Sequence, residues 1–260
     1  MLDRNSPFIP QSTSSGTNLA DLAHRLLTAA IIEGDPAPGS VLSEASISTR
    51  FGVGLAATRT VLARLSAMSW VEARNRSGWV VQPISPAHLA DLQSARRWLE
   101  PALPGSPCTR PLSDELCRQA DIHESAAHLP ADTVLLHQER KLLALTAQAV
   151  AAPRLRRWLT ETWDLSLRAD HFFNRTMGIA RTPLPLSDLS RAVAHTDSGA
   201  TARILDTMRA EFEARIAHAL SHGDGPISGD PAPATRQAAA GTSHIPTHQG
   251  KSLHKKGDGA

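Results

Sequence analysis

The sequence predicts a mainly α-helical protein in two parts, an N-terminal winged helix-turn-helix and a C-terminal all-α helical bundle. Between Leu42 and Gly78, two short helical patterns meet at the tight turn Gly52-Val53-Gly54 and lead into a hairpin that carries arginines. From Ala87 to about Leu220, nearly every segment has helical periodicity. A chain of 260 residues, 41% of them hydrophobic, is long enough to pack a core in each part.

Bulk composition narrows the possible classes of protein. No segment approaches the roughly 20 consecutive apolar residues of a membrane span, and the N-terminus lacks the apolar core of a secretion signal, so we expect a cytoplasmic protein. Cys108 and Cys117 are the only cysteines and form no CxxC pair, so we expect ordinary thiols. The net charge of +2 neither favours nor excludes nucleic acid.

The first helix is predicted to follow a mobile arm, residues 1–17, which is rich in Ser, Thr, Asn and Pro. Asn18 is the predicted N-cap, and the helix is predicted to end near Gly34. Apolar residues at spacings of three and four make this helix amphipathic: Leu19, Leu22, Ala23, Leu26, Leu27, Ala30 and Ile31.

The second and third helices form the predicted helix-turn-helix. Ser43 is predicted to cap the second helix, after the break at residues 35–39. The third helix is predicted over Leu55 to Met68, and its buried face comprises Thr58, Val61, Leu62 and Leu65. Small residues surround one arginine on the opposite face, which suits a helix lying against base-pair edges: Ala56, Arg59, Thr60 and Ala63.

A basic hairpin completes the predicted DNA-binding domain, residues 18–84. Its strands, Trp70–Ala73 and Trp79–Gln82, flank a turn whose two guanidiniums can reach phosphate or the minor groove. Between Glu44 and Gly78, five arginines stand against two glutamates, so positive charge is concentrated at the motif. The predicted DNA-binding residues are Arg50, Ala56, Arg59, Thr60, Arg64, Arg74, Asn75, Arg76 and Gly78.

The rest of the chain is predicted to form a second domain and a tail. Residues 87–221 contain six or so helices, enough for an independent all-α bundle. The helices are interrupted by proline-containing and glycine-containing segments. Residues 222–260 have no apolar period and are predicted to be disordered.

These pieces, in this order, resemble the GntR family of bacterial transcription regulators, in particular the FadR-like branch with a helical FCD effector domain. The resemblance covers about residues 19–221. It implies a homodimer that binds a near-palindromic duplex-DNA operator, most often as a repressor, and a small-molecule effector that modulates DNA affinity. The matching residues are Ile32-Glu33-Gly34, Pro38 to Glu44, Phe51-Gly52-Val53, Thr58-Arg59, Leu62, Leu65, Gly78 to Val81 and Arg96 to Glu100.

The third helix, the one expected to contact base edges, departs from the family pattern at its start. Family members usually have Ser-Arg after the turn valine and a second Arg four residues past the first. The corresponding residues here are Gly54, Leu55 and Arg59, so only the second arginine is present. Arginine can contact guanine with two hydrogen bonds and leucine cannot, so base readout is expected to depend on Arg59 and the wing.

The resemblance also implies where an effector would bind. Family members commonly hold a divalent metal with an Asp and three His, and the positions that match here are Glu139, Leu143, Leu186 and Met208. All three imidazoles are replaced by apolar side chains, so we expect an apolar pocket that uses no metal or other cofactor. Arg96 either meets an effector carboxylate or pairs with Glu100, one helical turn away.

Other arrangements of the same residues suggest different functions. Asp132 and His137 resemble a metal pair, but a step of five residues turns the two side chains apart on a helix. The other histidines are scattered. The alternatives are a protein-interaction module with degraded DNA specificity, because of Leu55, and a metal-dependent enzyme. The enzyme is disfavoured because the sequence has no HExxH, GxSxG or glycine-rich phosphate loop.

Overall fold

A computed structural model describes residues 14–74, 78–126, 132–181 and 183–222. The N-terminal part comprises α1 (Ser14–Ile32), β1 (Val41–Leu42), α2 (Glu44–Phe51), α3 (Leu55–Ala67), β2 (Val71–Arg74) and β3 (Gly78–Val81). The C-terminal part comprises α4 (Pro86–Leu99), α5 (Arg110–Ala126), α6 (Asp132–Thr146), α7 (Pro153–Met177), α8 (Leu186–Ala194) and α9 (Ser198–His222). The predicted fold class, a winged helix-turn-helix followed by a helical bundle, is confirmed.

The start of α1 differs from the prediction. The helix begins at Ser14, so Asn18 lies inside it and is not the N-cap, and residues 14–17 of the predicted arm are helical. Periodicity could not detect this first turn, because its small polar residues have no apolar face. Residues 1–13 of the arm lie outside the described residues. At the other end of the chain, α9 includes His222, and residues 223–260 of the predicted tail are likewise outside.

Only part of the apolar surface of α1 enters the core. Ala20, Ala23, Leu27 and Ile31 are buried, whereas Leu19, Leu22 and Leu26 are 41–47% exposed. The helix therefore packs on α3 with a stripe of small and aliphatic residues and leaves its leucine stripe largely uncovered.

The turn between α2 and α3 follows the predicted chemistry. The Ser43 hydroxyl caps α2 by accepting a hydrogen bond from the Ser46 backbone N–H at 3.0 Å. Gly52 ends α2 in the left-handed region, with φ +63°. The residues predicted to be buried on α3 are all buried, and they hold this helix against α1: Thr58, Val61, Leu62 and Leu65.

The wing belongs to a three-stranded antiparallel sheet with strand order β1-β3-β2. Both hairpin strands lie one residue from their predicted bounds. Strand β1 was not predicted, because a strand of two residues has no periodicity to recognise. Gly78 has φ +84°, and a Cβ added there would lie 2.7 Å from the Leu42 carbonyl oxygen. Glycine is therefore required where the wing joins β1.

A buried carboxylate joins three segments of the bundle. Glu100 is fully buried directly after α4, and its two oxygens accept hydrogen bonds from Arg96 Nε at 2.6 Å, Trp163 Nε1 at 2.9 Å and an Arg209 terminal nitrogen at 2.6 Å. Of the two alternatives for Arg96, the structure shows the pair with Glu100. Within the described residues, no helix combines the length and the apolar character needed to cross a membrane.

Replacing the buried carboxylate should destabilise the protein strongly. Glu100→Gln removes the charge that balances two guanidiniums, and breaking such a buried pair costs about 3 kcal/mol or more of the free energy of unfolding. Urea denaturation followed by circular dichroism measures the loss. Glu115→Gln is the matched control, because Glu115 pairs with Arg118 on the exposed surface of α5. Equal midpoints for the two variants would contradict this role of Glu100.

The strained glycine of the wing gives a second prediction. Gly78→Ala is expected to lower the free energy of unfolding by about 1–3 kcal/mol, because alanine is disfavoured at this φ and its Cβ would collide with the Leu42 carbonyl. Gly54→Ala is the control, since a Cβ there meets nothing within 4 Å. Chemical denaturation of both variants tests this, and a smaller loss for Gly78→Ala would contradict it.

Candidate nucleic-acid interface

The outer face of α3 is composed mainly of small side chains around one arginine. Ala56, Arg59, Thr60 and Ala63 are all exposed, opposite the buried face of this helix. The Thr60 hydroxyl donates to the Ala56 carbonyl at 3.1 Å, which folds the threonine side chain back against the helix. Arg59 is therefore the one long side chain on this face, and it is 67% exposed, as a side chain that approaches base edges needs to be.

Acidic partners accompany three of the predicted arginines. Arg50 pairs with Asp35 at 2.9 Å, Arg59 with Glu44 at 2.8 Å and Arg64 with Asp21 at 2.5 Å. Sequence spacing gave no sign of these pairs, because each acid lies 15 or more positions from its arginine. The arginine side chains are 41–67% exposed, and such surface pairs contribute at most about 1 kcal/mol. DNA phosphates can therefore replace the carboxylates at low cost.

The wing brings a further cation to the same domain. Arg74 is exposed at the end of β2 and forms no ion pair with any described residue. Asn75 and Arg76, also predicted to bind DNA, lie outside the described residues. Gly78 is exposed at the start of β3, where its positive φ and its approach to β1 account for the glycine.

The predicted effector residues are all buried, and three of them meet at one cavity. Arg96, Leu143 and Met208 line a space of about 30 Å³ between α4, α6, α7 and α9. This volume holds one or two water molecules. Glu139 and Leu186 are buried outside its lining. An organic effector would have to displace side chains to enter, so effector binding at these residues remains a prediction.

A buried network of opposite charges occupies the region beside this cavity. Arg181, in the loop after α7, pairs with Glu139 on α6 at 2.7 Å and also contacts Asp170 on α7. Arg215 on α9 pairs with Asp170 from the other side. Burial raises the pKa of Glu139, and the Arg181 guanidinium opposes that shift. Neither arginine belongs to a sequence motif, so neither was predicted to take part in a site.

The histidines are dispersed in the structure. His123 is buried on α5 and its Nδ1 lies 2.9 Å from the Ser187 hydroxyl, while His137 is exposed. The Asp132 side chain and His128 lie outside the described residues. Where side chains are described, no three His, Cys, Asp or Glu residues are grouped as metal ligands.

Comparisons with known proteins agree with this architecture. The family described as "Bacterial regulatory proteins, gntR family" matches residues 19–81. A GntR transcriptional regulator from Rhodococcus sp. RHA1 is similar in structure, with a TM-score of 0.59 and 19% identity over 78% of this chain and 99% of that one. E. coli McbR/YncC has a TM-score of 0.62 and 17% identity over 78% of this chain and 97% of its own.

No curated protein sequence matched the chain. At identities below 25%, the two solved structures establish only the fold. The family match identifies residues 19–81, called the reading head below, as the DNA-binding part. Residues 19–81 are therefore a GntR-family DNA-binding domain, and the chain that contains it is a DNA-binding transcriptional regulator.

Proposed function

We propose that this regulator binds a near-palindromic operator as a homodimer, and that a small-molecule effector bound through its FCD-like helical domain changes its affinity for DNA. The observation that carries the proposal is the exposed face of α3, where Arg59 stands among small side chains beside the basic wing. A helix of this kind fits the major groove, and two-fold symmetry of the protein would match two half-sites. Repression in the cytoplasm is the mode of action we favour.

Within this proposal, Arg59 reads a base and the wing contacts phosphate. Arg59 occupies the first half of α3, the part of a recognition helix that usually meets base edges. Arg74 lies at the end of a strand with no ion partner among the described residues, which suits a phosphate contact. Exchange of Glu44 for DNA frees the Arg59 guanidinium at little cost, since the pair is exposed.

A protein-interaction module is the second candidate, and one observation favours it. Leu55 is 50% exposed at the first position of α3, so an apolar side chain lies where the family usually presents arginine to DNA. The salt dependence of DNA binding separates the candidates. For a DNA-binding protein, the logarithm of the binding constant falls with the logarithm of the salt concentration, with a slope of about one unit for each phosphate contact. A protein-interaction module gives a flat response.

The roles of the two arginines can be separated by mutation. Arg59→Ala is expected to weaken binding to the preferred operator by about 1–3 kcal/mol and to relax sequence preference. Arg74→Ala is expected to weaken binding to all duplexes alike. Fluorescence anisotropy with the operator and with a scrambled duplex measures both effects. If the two variants lose the same affinity for both duplexes, Arg59 contacts only phosphate.

Restoring charge at the first position of α3 gives a gain-of-function prediction. Leu55→Arg is expected to tighten binding to duplex DNA and to steepen the log-log salt slope by about one unit, because it adds one guanidinium to the exposed end of α3. Leu55→Gln is the matched control, since it removes the apolar surface without adding charge. An unchanged slope for Leu55→Arg would show that this end of α3 does not face DNA.

A further inference from the structure

A cleft of about 370 Å³ lies between the DNA-binding domain and the helical bundle. Its walls are formed by α1, by the segment between α3 and β2, and by α6 and α7. Pockets of roughly 300–1,000 Å³ are the size that binds small organic molecules. The cleft shares no lining residue with the 30 Å³ bundle cavity, so it is a separate site.

Cationic side chains outnumber acids in this cleft. Four arginines, Arg25, Arg140, Arg156 and Arg157, line it together with Glu161 and Asp164. Arg25 and Arg157 are exposed at the cleft and have no carboxylate of a described residue within 4 Å, although the Arg157 charge lowers the pKa of Glu161 and so acts against the effect of its burial. Arg140 uses only its Nε to contact the Asp164 carboxylate, at 3.0 and 3.1 Å. Its two terminal nitrogens therefore remain available to bind an anion.

A buried donor on the cleft wall lacks an acceptor. Trp70 is 1% exposed and lines the cleft, and its indole Nε1–H has no hydrogen-bond partner among the described residues. A buried donor without an acceptor destabilises the fold. Met68 and Pro153 add apolar surface to the lining. One wall is thus apolar, and arginines predominate among the charged residues of the rest of the lining.

We propose that this interdomain cleft is a binding site for a small organic carboxylate, whose anionic group contacts Arg140 and Arg157 and whose apolar body lies against Trp70. The proposal rests on the proposed function, because it names where the effector binds and what chemistry it carries. The apolar surface at Trp70 favours a carboxylate with an organic body over inorganic phosphate. Burial raises the pKa of Glu161 to about 7, which weakens its repulsion of a singly charged ligand near neutral pH.

A ligand in this cleft would contact both domains at once. Its DNA-binding side includes α1, and Asp21 on α1 pairs with Arg64 on α3. Its bundle side includes α6 and α7. Occupancy therefore changes how the DNA-binding domain sits on the bundle, and with it the DNA affinity, only to the extent that the ligand prefers one placement.

The indole N–H of Trp70 provides a direct test on the full chain. Benzoate is the probe and benzamide, its uncharged analogue, is the ligand control. In ¹H–¹⁵N correlation spectra, with the Trp70 signal assigned from Trp70→Phe, benzoate at up to about 10 mM should shift this signal saturably. Benzamide should bind about tenfold more weakly, because it lacks the charge that the arginines recognise.

Two arginine variants complete the experiment. Arg157→Gln should weaken benzoate binding about tenfold, whereas Arg118→Gln, on the exposed surface of α5, should leave it unchanged. A Trp70 signal that does not move with benzoate, moves equally with benzamide, or responds equally in the two variants would overturn the proposal.

The titration contains no DNA, so its outcome is independent of operator binding. Carboxylate binding by a protein that prefers no operator would leave this site standing and refute the proposed function. A regulator that binds its operator and shows none of the expected shifts would refute the site alone.

Discussion

Burial of charged side chains on α7 is the constraint that fixes the arrangement of the bundle and its link to the reading head. Asp164, Arg168 and Asp170 are each at most 8% exposed, and an unpaired buried charge costs several kcal/mol. Asp164 pairs with Arg140 on α6 and Asp170 pairs with Arg181 and Arg215, while Arg168 donates one hydrogen bond to the Gln82 carbonyl before α4. Because these partners come from separate elements, α7 cannot shift without disturbing several of them together.

The same helix connects the two domains. Arg168 donates to the Gln82 carbonyl just after β3, and burial lowers the pKa of Arg168 to about 10, which still leaves it charged near neutral pH. The N-terminal half of α7 also packs against α1 and lines the interdomain cleft. A ligand in that cleft contacts α7 and the reading head directly. A ligand in the 30 Å³ bundle cavity would first have to open the core.

Sequence patterns predicted the features that depend on residues close together within one helix or at its end. The buried face of α3 and the Ser43 cap are both local, and both are confirmed. Partnerships between distant residues had no such signal, which is why Asp21 beside Arg64 and Arg181 beside Glu139 were missed. For the same reason the lining of the interdomain cleft, which comes from four segments, could not be predicted from spacing.

Ion pairs within the DNA-binding domain limit the free energy that its arginines can gain by contacting DNA. Arg50, Arg59 and Arg64 already have carboxylate partners, so a phosphate contact replaces one exposed ion pair by another. The net gain from each exchange is small, and the displaced carboxylates remain near the DNA as local negative charge. In the binding mode proposed above, affinity for arbitrary duplexes is therefore low. The proposed base contact by Arg59, which a phosphate contact elsewhere on the duplex cannot replace, would then carry a larger share of the discrimination between operator and other DNA.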